Sequence, residues 1–404
     1  MTGWVRRILV APEFTFNFIG FDWLQYLQGE PMYAYYGIMG LAGVFIMLGL
    51  FYRFSTTLFF LLWSGCYLMQ KSAYNNHYYL LMLLGAIMIF VPAHKSTSLD
   101  VRFGKTEKSD VCSYAFIWMF IFHLGLVYFY ASFNKIYPGW LQAKPISLWF
   151  QSKASMPVIG PLLAKEWFQY FIAYGGIVYD GLIVFVLLNR KTRKLGFFLS
   201  LFFNLFNSLV FQIGIFPYLM ILWNVFFYPG DWVRKRFLRK PDLSLPPHSF
   251  KPFSSVATVV LLGYFGVQFF LPLRHWVIPG DVNYTEEGHR LSWRMMLRAK
   301  SGKGDFLVVN PETGAEKSIR ATDFASRKQA SSIRRNPDQA WQYAQIIEEK
   351  FKEKGWEEVE VYARLQSSLN GGPYQVVIDP SVDLTSVGWN YFWHNDWILT
   401  NHND

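Results

Sequence analysis

Long apolar runs separated by short polar segments occupy the first two thirds of this chain. Most of the runs approach the roughly 20 residues that an α-helix needs to cross a bilayer core of about 30 Å. This pattern predicts a mainly α protein built as a multi-pass transmembrane helical bundle of about eight spans. The predicted spans are residues 33–52, 55–71, 77–93, 112–133, 167–188, 195–214, 216–229 and 255–273.

Residues 138–165 break the apolar pattern between the fourth and fifth spans. They are rich in proline and polar side chains, and are therefore too polar to cross a membrane. Amphipathic segments of this kind lie along the membrane surface. We expect interfacial helices around residues 138–165, within a transmembrane helical domain that covers residues 1–275.

The pattern changes again beyond the last span. Apolar and polar residues alternate around a turn at Pro311–Gly314, which predicts a β-hairpin. Asn336 and Pro337 predict the start of a helix and Gly355 its end. Two further strand-like stretches follow this helix. We therefore expect a small soluble α+β domain at residues 276–404.

Composition and charge support a membrane protein and exclude other classes. Hydrophobic residues make up 52% of the chain and charged residues only 16%, whereas soluble proteins carry about a quarter charged residues. The net charge of +10 comes largely from cations between apolar runs, so no nucleic-acid partner is expected. Cys66 and Cys112 are the only cysteines, which leaves no disulfide framework or CxxC metal site, and no metal is expected.

The loop cations also predict the orientation of the bundle, because Lys and Arg prefer cytoplasmic loops. The loops after the first, third, fifth and seventh spans are assigned to the cytoplasm, which places the C-terminal domain on the non-cytoplasmic side. The start of the chain lacks signal-peptide features, so we expect a short translocated tail or an absent first span. The cytoplasmic cations are Arg53, Lys95, Arg102, Lys105, Lys108, Arg190, Lys191, Arg193, Lys194, Arg234, Lys235, Arg236, Arg239 and Lys240.

Charged groups in or beside the apolar runs are the first candidate site residues, since a charge in the hydrocarbon costs roughly 2.5–3.5 kcal/mol or more. Lys135, at the end of the fourth span, is either an interfacial anchor or a base. Burial in an apolar pocket favours the neutral amine that a base requires. Asp180 is either a ligand-facing group or the partner of another helix, and His77 is either an interfacial hydrogen-bonding residue or a catalyst.

Side-chain amides extend this set. Asn204 and Asn207 lie one helical turn apart in the sixth span, where packing between polar helix faces is the alternative explanation for each. Asn76 directly precedes His77 at the mouth of the third span. An amine near amide and imidazole donors suits removal of a proton from a lipophilic acid. The predicted polar patch consists of Asn76, His77 and Lys135, with Asp180 as a further candidate.

Seven short stretches, read in order along the chain, carry a family resemblance. They are "LGLFYRFS", "YNNHYYL", "VYFYASFNKIYPGWL", "GGIVYDGLIVF", "FNSLVFQIGIFPYLM", "FFLPLRHWVIPGDVNYTEEGHRLSWRMMLRAK" and "VVIDPSVDL". None is distinctive alone. Together they resemble the vitamin K-dependent gamma-glutamyl carboxylases and their bacterial relatives, which share the horizontally transferred transmembrane domain.

The resemblance implies an activity. In this family a lysine held as a free amine deprotonates a reduced vitamin K hydroquinone, which reacts with O2 and ends as the epoxide. The strong base formed on the way removes a γ-proton from a substrate glutamate, and CO2 adds to the carbanion. Matching the motifs places the family's base at Lys135 and its active-site histidine at His77. The implied enzyme is a carbon–carbon lyase coupled to vitamin K epoxidation.

The resemblance also implies ligands and partners. The expected cofactor is reduced vitamin K or a menaquinol-type hydroquinone, with O2 and CO2 as co-substrates. The expected partners are the lipid bilayer and a glutamate-containing protein or peptide, which the family handles in a region resembling residues 268–275. The expected binding residues are Asn76, Asp180, Asn204, Asn207, Gln268, Arg274 and His275.

Two departures from the family pattern leave a second function open. Asn204 stands where the family usually has a histidine before the "NS" pair. The C-terminal tail is also much shorter than in the animal enzymes. The alternative is a quinone-binding or epoxidising membrane protein of the same fold that lacks glutamate carboxylase activity.

Overall fold

The computed structural model describes residues 3–239 and 253–400, and Lys240 lies outside the described residues. The chain forms two compact units. Unit 1 consists of Met1–Asp110, Pro272–Ser292 and Arg298–Asp404, and unit 2 consists of Val111–Leu271 and Trp293–Leu297. This division into units does not test the predicted domain boundary after residue 275, which stays a prediction.

The N-terminal part of unit 1 is helical. A π-helical turn at Arg6–Val10 and a 3-10 helix at Asp22–Leu27 are followed by α1 (Pro31–Leu48), α2 (Tyr52–Met69), α3 (Asn76–Phe90) and α4 (Leu99–Arg102), with a 3-10 turn at Lys71–Ala73 between α2 and α3. The Asp100 carboxylate accepts hydrogen bonds from the backbone N–H groups of Phe51 and Tyr52, at 2.8 and 3.0 Å. An anion at this position stabilises the start of α2, where N–H groups lack helical partners.

The C-terminal part of unit 1 is a four-stranded antiparallel sheet with helices. Its strand order is β2-β1-β3-β4. The strands are β1 (Lys300–Val309), β2 (Glu316–Ile319), β3 (Glu360–Leu369) and β4 (Gln375–Val376), and the helices are α14 (Val282–Thr285), α15 (Arg327–Ile333) and α16 (Pro337–Lys352). The predicted hairpin is confirmed, because Val309 pairs with Glu316 across the turn.

One face of this sheet packs on α16. Phe306 of β1 and Val361 of β3 are buried with Tyr343 and Ile347 of α16 in one hydrophobic core. The predicted helix after Asn336 is confirmed, although the Asn336 side chain does not cap it and instead donates to the Ser332 carbonyl oxygen at 2.7 Å. Apolar residues at helical spacing on α16 and alternating residues on β1 and β3 therefore form the core that their patterns predict.

Unit 2 is made of helices. They are α5 (Tyr114–Phe133), α6 (Pro138–Leu141), α7 (Lys144–Gln151), α8 (Gly160–Leu163), α9 (Glu166–Leu188), α10 (Arg193–Phe211), α11 (Phe216–Trp223), α12 (Gly230–Leu238) and α13 (Ser255–Phe270), with a 3-10 turn at Asn224–Phe227. The 3-10 turn Leu271–Trp276 follows α13 in the chain and belongs to unit 1 from Pro272 onward. Short helices α6 to α8 occupy the segment predicted to be interfacial. Helix α9 packs against α5 on one side and α10 on another, so the ends of these three helices can share a site.

The predicted count of eight spans is not confirmed. A helix is present at each predicted position, but in the described residues only five are long and apolar enough to cross a membrane. They are Pro31–Leu48, Tyr114–Phe133, Glu166–Leu188, Arg193–Phe211 and Ser255–Trp276. Helix α3 and the helical stretch Phe216–Phe227 are shorter than a bilayer core requires. Helix α2 contains Arg53 and several hydroxyl groups, which lower its hydropathy.

Candidate functional site

Lys135 lies at the end of α5, where the chain turns. Its backbone N–H donates to the Ser132 carbonyl oxygen at 3.1 Å. Pro138 then starts α6, as its fixed φ angle and missing N–H suit the first helical turn. The Trp140 indole N–H donates to the Ala173 carbonyl oxygen of α9 at 3.0 Å. The "KIYPGW" motif thus folds back on α9 and holds Lys135 against that helix.

Lys135 and Asp180 form a buried ion pair. The lysine Nζ atom contacts the Asp180 carboxylate, and the two side chains are 11% and 4% exposed. Ser132, one turn before Lys135, donates its hydroxyl to the Ile177 carbonyl oxygen at 2.9 Å. A Cβ atom at Gly176, one turn before Asp180, would lie at van der Waals distance from the amine, 3.9 Å from Nζ, so the backbone of α9 passes close to Lys135. The pair is therefore fixed from both helices.

The pair faces a cavity of about 130 Å³. Most of the side chains around it are apolar or aromatic, and Lys135 and Asp180 are the charged ones. The Lys135 Nζ atom lies 5.4 Å from the centre of the Trp140 ring, within reach of a cation–π contact. The lining residues are Val127, Tyr128, Ala131, Lys135, Trp140, Ile146, Trp149, Ile172, Gly176, Asp180, Phe203, Asn204, Asn207, Phe211, Ile213, Phe216, Met220, Met295 and Met296.

The two predicted amides of α10 line the same cavity. Asn204 is buried, and its side-chain N–H2 donates to the Ser200 carbonyl oxygen at 2.8 Å. Asn207 is half-buried one turn further along. The Tyr128 hydroxyl lies 3.4 Å from that of Tyr179, and both tyrosines are within hydrogen-bonding reach of Asn204. A polar strip thus runs beside the ion pair.

A five-residue segment, Trp293–Leu297, closes part of the cavity and is called the strap below. Trp293 is 1% exposed and meets His123 of α5 edge to face, with ring centres 5.9 Å apart. Arg294 donates to the Asn134 side-chain oxygen at 3.3 Å, next to Lys135 in sequence. The Leu297 carbonyl oxygen accepts from the Tyr137 hydroxyl. These contacts position Met295 and Met296 of the strap at the cavity wall.

Four predicted site residues lie in unit 1, namely Asn76, His77, Arg274 and His275. His77 is half-buried at the start of α3, where its ring meets Tyr78 edge to face at 4.7 Å. The Asn76 side-chain oxygen accepts from the Tyr74 hydroxyl at 2.9 Å, and that hydroxyl accepts from the Leu291 backbone N–H. Asn76 is thus held in a hydrogen-bonded chain within unit 1.

The remaining predicted binding residues are Arg274, His275 and Gln268. In unit 1, Arg274 donates to the Ser292 hydroxyl at 3.1 Å, and the His275 Nδ1 atom lies 2.7 Å from the Pro272 carbonyl oxygen. Gln268 is buried on α13 in unit 2 and does not line the cavity. The structure therefore brings Lys135 and Asp180 together with the α10 amides, and the roles of all the predicted residues stay predictions.

Sequence reasoning missed several cavity residues. Tyr128 and Trp149 of the cavity lining, and Tyr179 beside Tyr128, give no local signal in the sequence, because aromatic residues make up 20% of the chain. Met295 and Met296 fall in a quoted motif, but nothing in their spacing shows that they reach a cavity. In residues 3–239 and 253–400, no group of three or more His, Cys, Asp and Glu side chains is arranged to hold a metal ion.

The apolar helices and the buried charge pair define a multi-pass membrane protein with a candidate site between its helices. Two family models match this chain. Residues 1–232 match the HTTM domain, and residues 253–404 match the lumenal domain of the vitamin K-dependent gamma-carboxylase. The chain therefore belongs to the vitamin K-dependent gamma-carboxylase family. No solved structure matches it.

Proposed function

We propose that this protein is a membrane-embedded gamma-glutamyl carboxylase that oxidises a vitamin K-type hydroquinone. The observation that carries the proposal is the buried amine of Lys135, which faces a mostly apolar cavity and is held there from α5 and α9. A lipophilic acid would reach this amine with little water around it. A dry setting strengthens the electrostatic interactions that accompany proton transfer.

The cavity suits the ring of such a hydroquinone. Its volume of about 130 Å³ takes roughly ten water-sized groups, if one water needs about 10–15 Å³. A bicyclic aromatic head is close to this size. Trp140, Trp149 and Phe203 offer aromatic faces, and Met220 and Met296 offer adaptable thioethers. Lys135 would hold one ring hydroxyl and accept its proton.

The hydroquinone, when bound, supplies the oxidation by O2 that drives carboxylation of a glutamate with CO2. The protein's residues bind, orient and exclude water. His77 is proposed as a catalytic residue, and Asn76, Arg274, His275 and Gln268 are proposed as binding residues. The substrate is proposed to be a protein or peptide glutamate. The active site and C-terminal domain are proposed to lie on the non-cytoplasmic side, from the charge of the loops.

The test is an assay on purified protein in lipid nanodiscs. Reduced vitamin K, labelled bicarbonate and a glutamate peptide are added, and both labelled peptide and quinone epoxide are measured. The proposed function predicts both products, each dependent on the hydroquinone. Hydroquinone-independent label, or neither product with any of several menaquinol-type hydroquinones, would contradict it.

A second candidate function rests on Asn204. Its side-chain N–H2 donates to Ser200 on its own helix, which leaves at most one N–H for a bound oxygen anion. A neutral amide also cannot deliver the positive charge that a protonated histidine can. A protein that forms quinone epoxide without labelled peptide in the same assay would be a quinone-binding or epoxidising relative without carboxylase activity.

A further inference from the structure

The contact between Lys135 and Asp180 raises a chemical difficulty for a base. A carboxylate that touches an amine favours the protonated ammonium, which cannot accept a proton. A free amine beside an ionised carboxylate would instead leave a net negative charge in a mostly apolar cavity, which is costly without compensation. Neither protonation state of a lone lysine suits both the geometry and the reaction.

We propose, on the basis of the proposed function, that the proton acceptor is the Lys135–Asp180 pair, with Asp180 as the positioning residue that shares the proton. Before the reaction the pair holds one exchangeable proton beyond the amine and the carboxylate, and carries no net charge. Afterwards it holds two such protons, as an ammonium beside a carboxylic acid. The hydroquinone O–H bond breaks, and one N–H or O–H bond forms on the pair.

This scheme keeps the cavity neutral throughout. Initially the ammonium is balanced by the carboxylate of Asp180 and the hydroquinone is neutral. The ammonium first passes its proton to the Asp180 carboxylate, and the neutral amine that results accepts the hydroquinone proton. After transfer, the ammonium is balanced by the hydroquinone anion, and Asp180 is neutral. The lysine therefore exchanges one counter-charge for another at the same place, and no unpaired charge is left in a low-dielectric site.

The described residues that line the cavity include no second carboxylate or cation to take this role. Tyr128 of α5, Tyr179 of α9 and Asn204 of α10 flank the pair, and α6 presents Trp140. In the strap, Arg294 donates to the Asn134 side-chain oxygen. Among the described residues that line the cavity, Asp180 is the carboxylate and Lys135 the cation. The pairing is also direct, with both side chains nearly buried.

The pH dependence of Asp180→Asn distinguishes the pair from a lone lysine. If the pair is the acceptor, activity in the parent protein is lost only where a carboxylic acid beside an ammonium keeps its proton, at low pH. Asp180→Asn leaves only the lysine, which releases its proton at higher pH than such an acid. The acidic limb of the rate profile should then move to higher pH. At neutral pH we expect turnover to fall at least about tenfold and to recover as pH rises.

A lone lysine base predicts the opposite sign. Removal of the counter-charge would then favour the neutral amine, and the acidic limb would move to lower pH. That result, or an unmoved limb with full activity, overturns the proposal. Asp180→Glu keeps a carboxylate and should retain a limb close to the parent's. Quenching of cavity tryptophan fluorescence by the oxidised quinone checks that each variant still folds and binds.

A probe that needs no turnover completes the test. An unreactive naphthol is added to each protein, since its ionised form absorbs at longer wavelength than its neutral form. The pair should ionise the bound naphthol at neutral pH in the parent protein, and much less in Asp180→Asn. A parent that ionises naphthol but makes no epoxide would contradict the proposed function and support the pair. Equal ionisation by parent and Asp180→Asn would contradict the pair, whatever the turnover.

Discussion

At the residue scale, replacement of Lys135 by arginine distinguishes a catalytic base from an interfacial anchor. Lys135→Arg should fold, because a guanidinium can keep the contact with Asp180 and the long apolar stem. It should still lose epoxide and carboxylated peptide together, by roughly a hundredfold or more, because a guanidinium cannot give up its proton at usable pH. The measurement is the formation rate of both products.

Lys144 provides the matched control for this substitution. It is an exposed lysine at the start of α7 and does not line the cavity. Lys144→Arg should leave both rates unchanged. Lys135→Ala should also be inactive, but a small amine added to the assay should partly restore turnover. If Lys135→Arg made both products at the parent rate, Lys135 would be only an interfacial anchor.

The Lys135–Asp180 pair also shows which part of the site the sequence predicts and which part it does not. Lys135 and Asp180 were both singled out, because a charge in an apolar run needs a compensating group. Their contact spans 45 residues and depends on the packing of α5 on α9, which the sequence does not give. The sequence around Asn204 and Asn207 is equally compatible with packing between helices. Only the structure shows that both side chains line the cavity.

At the element scale, the close packing of α5 on α9 fixes the pair. Gly181 follows Asp180, and a Cβ atom there would lie 3.1 Å from the Ser132 hydroxyl oxygen, which bonds to α9. Gly181→Ala should therefore disturb this bond and shift Lys135 relative to Asp180. We expect hydroquinone turnover to fall severalfold to roughly a hundredfold, since small misplacements cost that much. The measurement is turnover, with quinone binding followed by tryptophan quenching.

Gly175→Ala is the control on the same helix. A Cβ atom at Gly175 would meet nothing within 4 Å. This substitution gains the same helix propensity, of about 0.5–1 kcal/mol, without the contact. It should leave turnover near the parent level. Equal losses in the two variants would show that helix rigidity matters, and that the close approach of α5 and α9 does not.

The elements also show why the count of eight spans is not confirmed. Apolar pattern located all eight helices, but the pattern cannot tell a full span from a short helix that ends early. Helix α3 ends at Phe90, and the stretch Phe216–Phe227 is α-helical only as far as Trp223, after which it continues as a 3-10 turn. The strap is a different case. Trp293 and Met296 adopt φ angles of 53° and 46°, a backbone region that bulky residues rarely take, so no propensity rule predicts it.

At the scale of the whole molecule, unit 1 depends on buried charges that join distant parts of the chain. Asp338 of α16 contacts Arg290 and Lys71, each at 2.6 Å. Burial alone would raise the pKa of Asp338, but the charges of Arg290 and Lys71 outweigh it and lower that pKa. Burial lowers the pKa of Lys71 to about 8 despite Asp338. The cluster therefore links the α2–α3 connection to α16 through electrostatics.

Asp338→Asn should destabilise unit 1 by about 3–5 kcal/mol, because two buried cations lose their counter-charge. The parent's stability should also fall as pH drops below about 5, since a carboxyl with a lowered native pKa contributes stability that is lost as it protonates. Asp338→Asn should reduce this acid sensitivity. The part due to Glu286 should remain, because burial raises the pKa of Glu286 but its contacts with Arg298 and Lys300 outweigh burial and lower it. Thermal unfolding against pH measures both effects.

Asp323 is the control for that measurement. It pairs with the exposed Arg320 at 3.0 Å, and exposed pairs contribute little stability. Asp323→Asn should change the unfolding temperature slightly and leave the pH profile as it is. If Asp338→Asn behaved in the same way, the buried cluster would not be a source of stability.

The orientation of the chain in its membrane is the last prediction, and it follows from loop charge. Lys191 lies in a cation-rich loop between α9 and α10, and Ser301 lies on β1; both are exposed. In a Cys112→Ser background, with Cys66 buried, Lys191→Cys and Ser301→Cys are labelled by a membrane-impermeant maleimide. Because Arg190, Arg193 and Lys194 remain in the loop, the positive-inside preference is kept. Right-side-out vesicles should label Ser301→Cys and spare Lys191→Cys, and inverted vesicles should do the reverse. Labelling of both from one side would place the C-terminal domain with the cation-rich loops, and glutamate substrates would then have to be cytoplasmic.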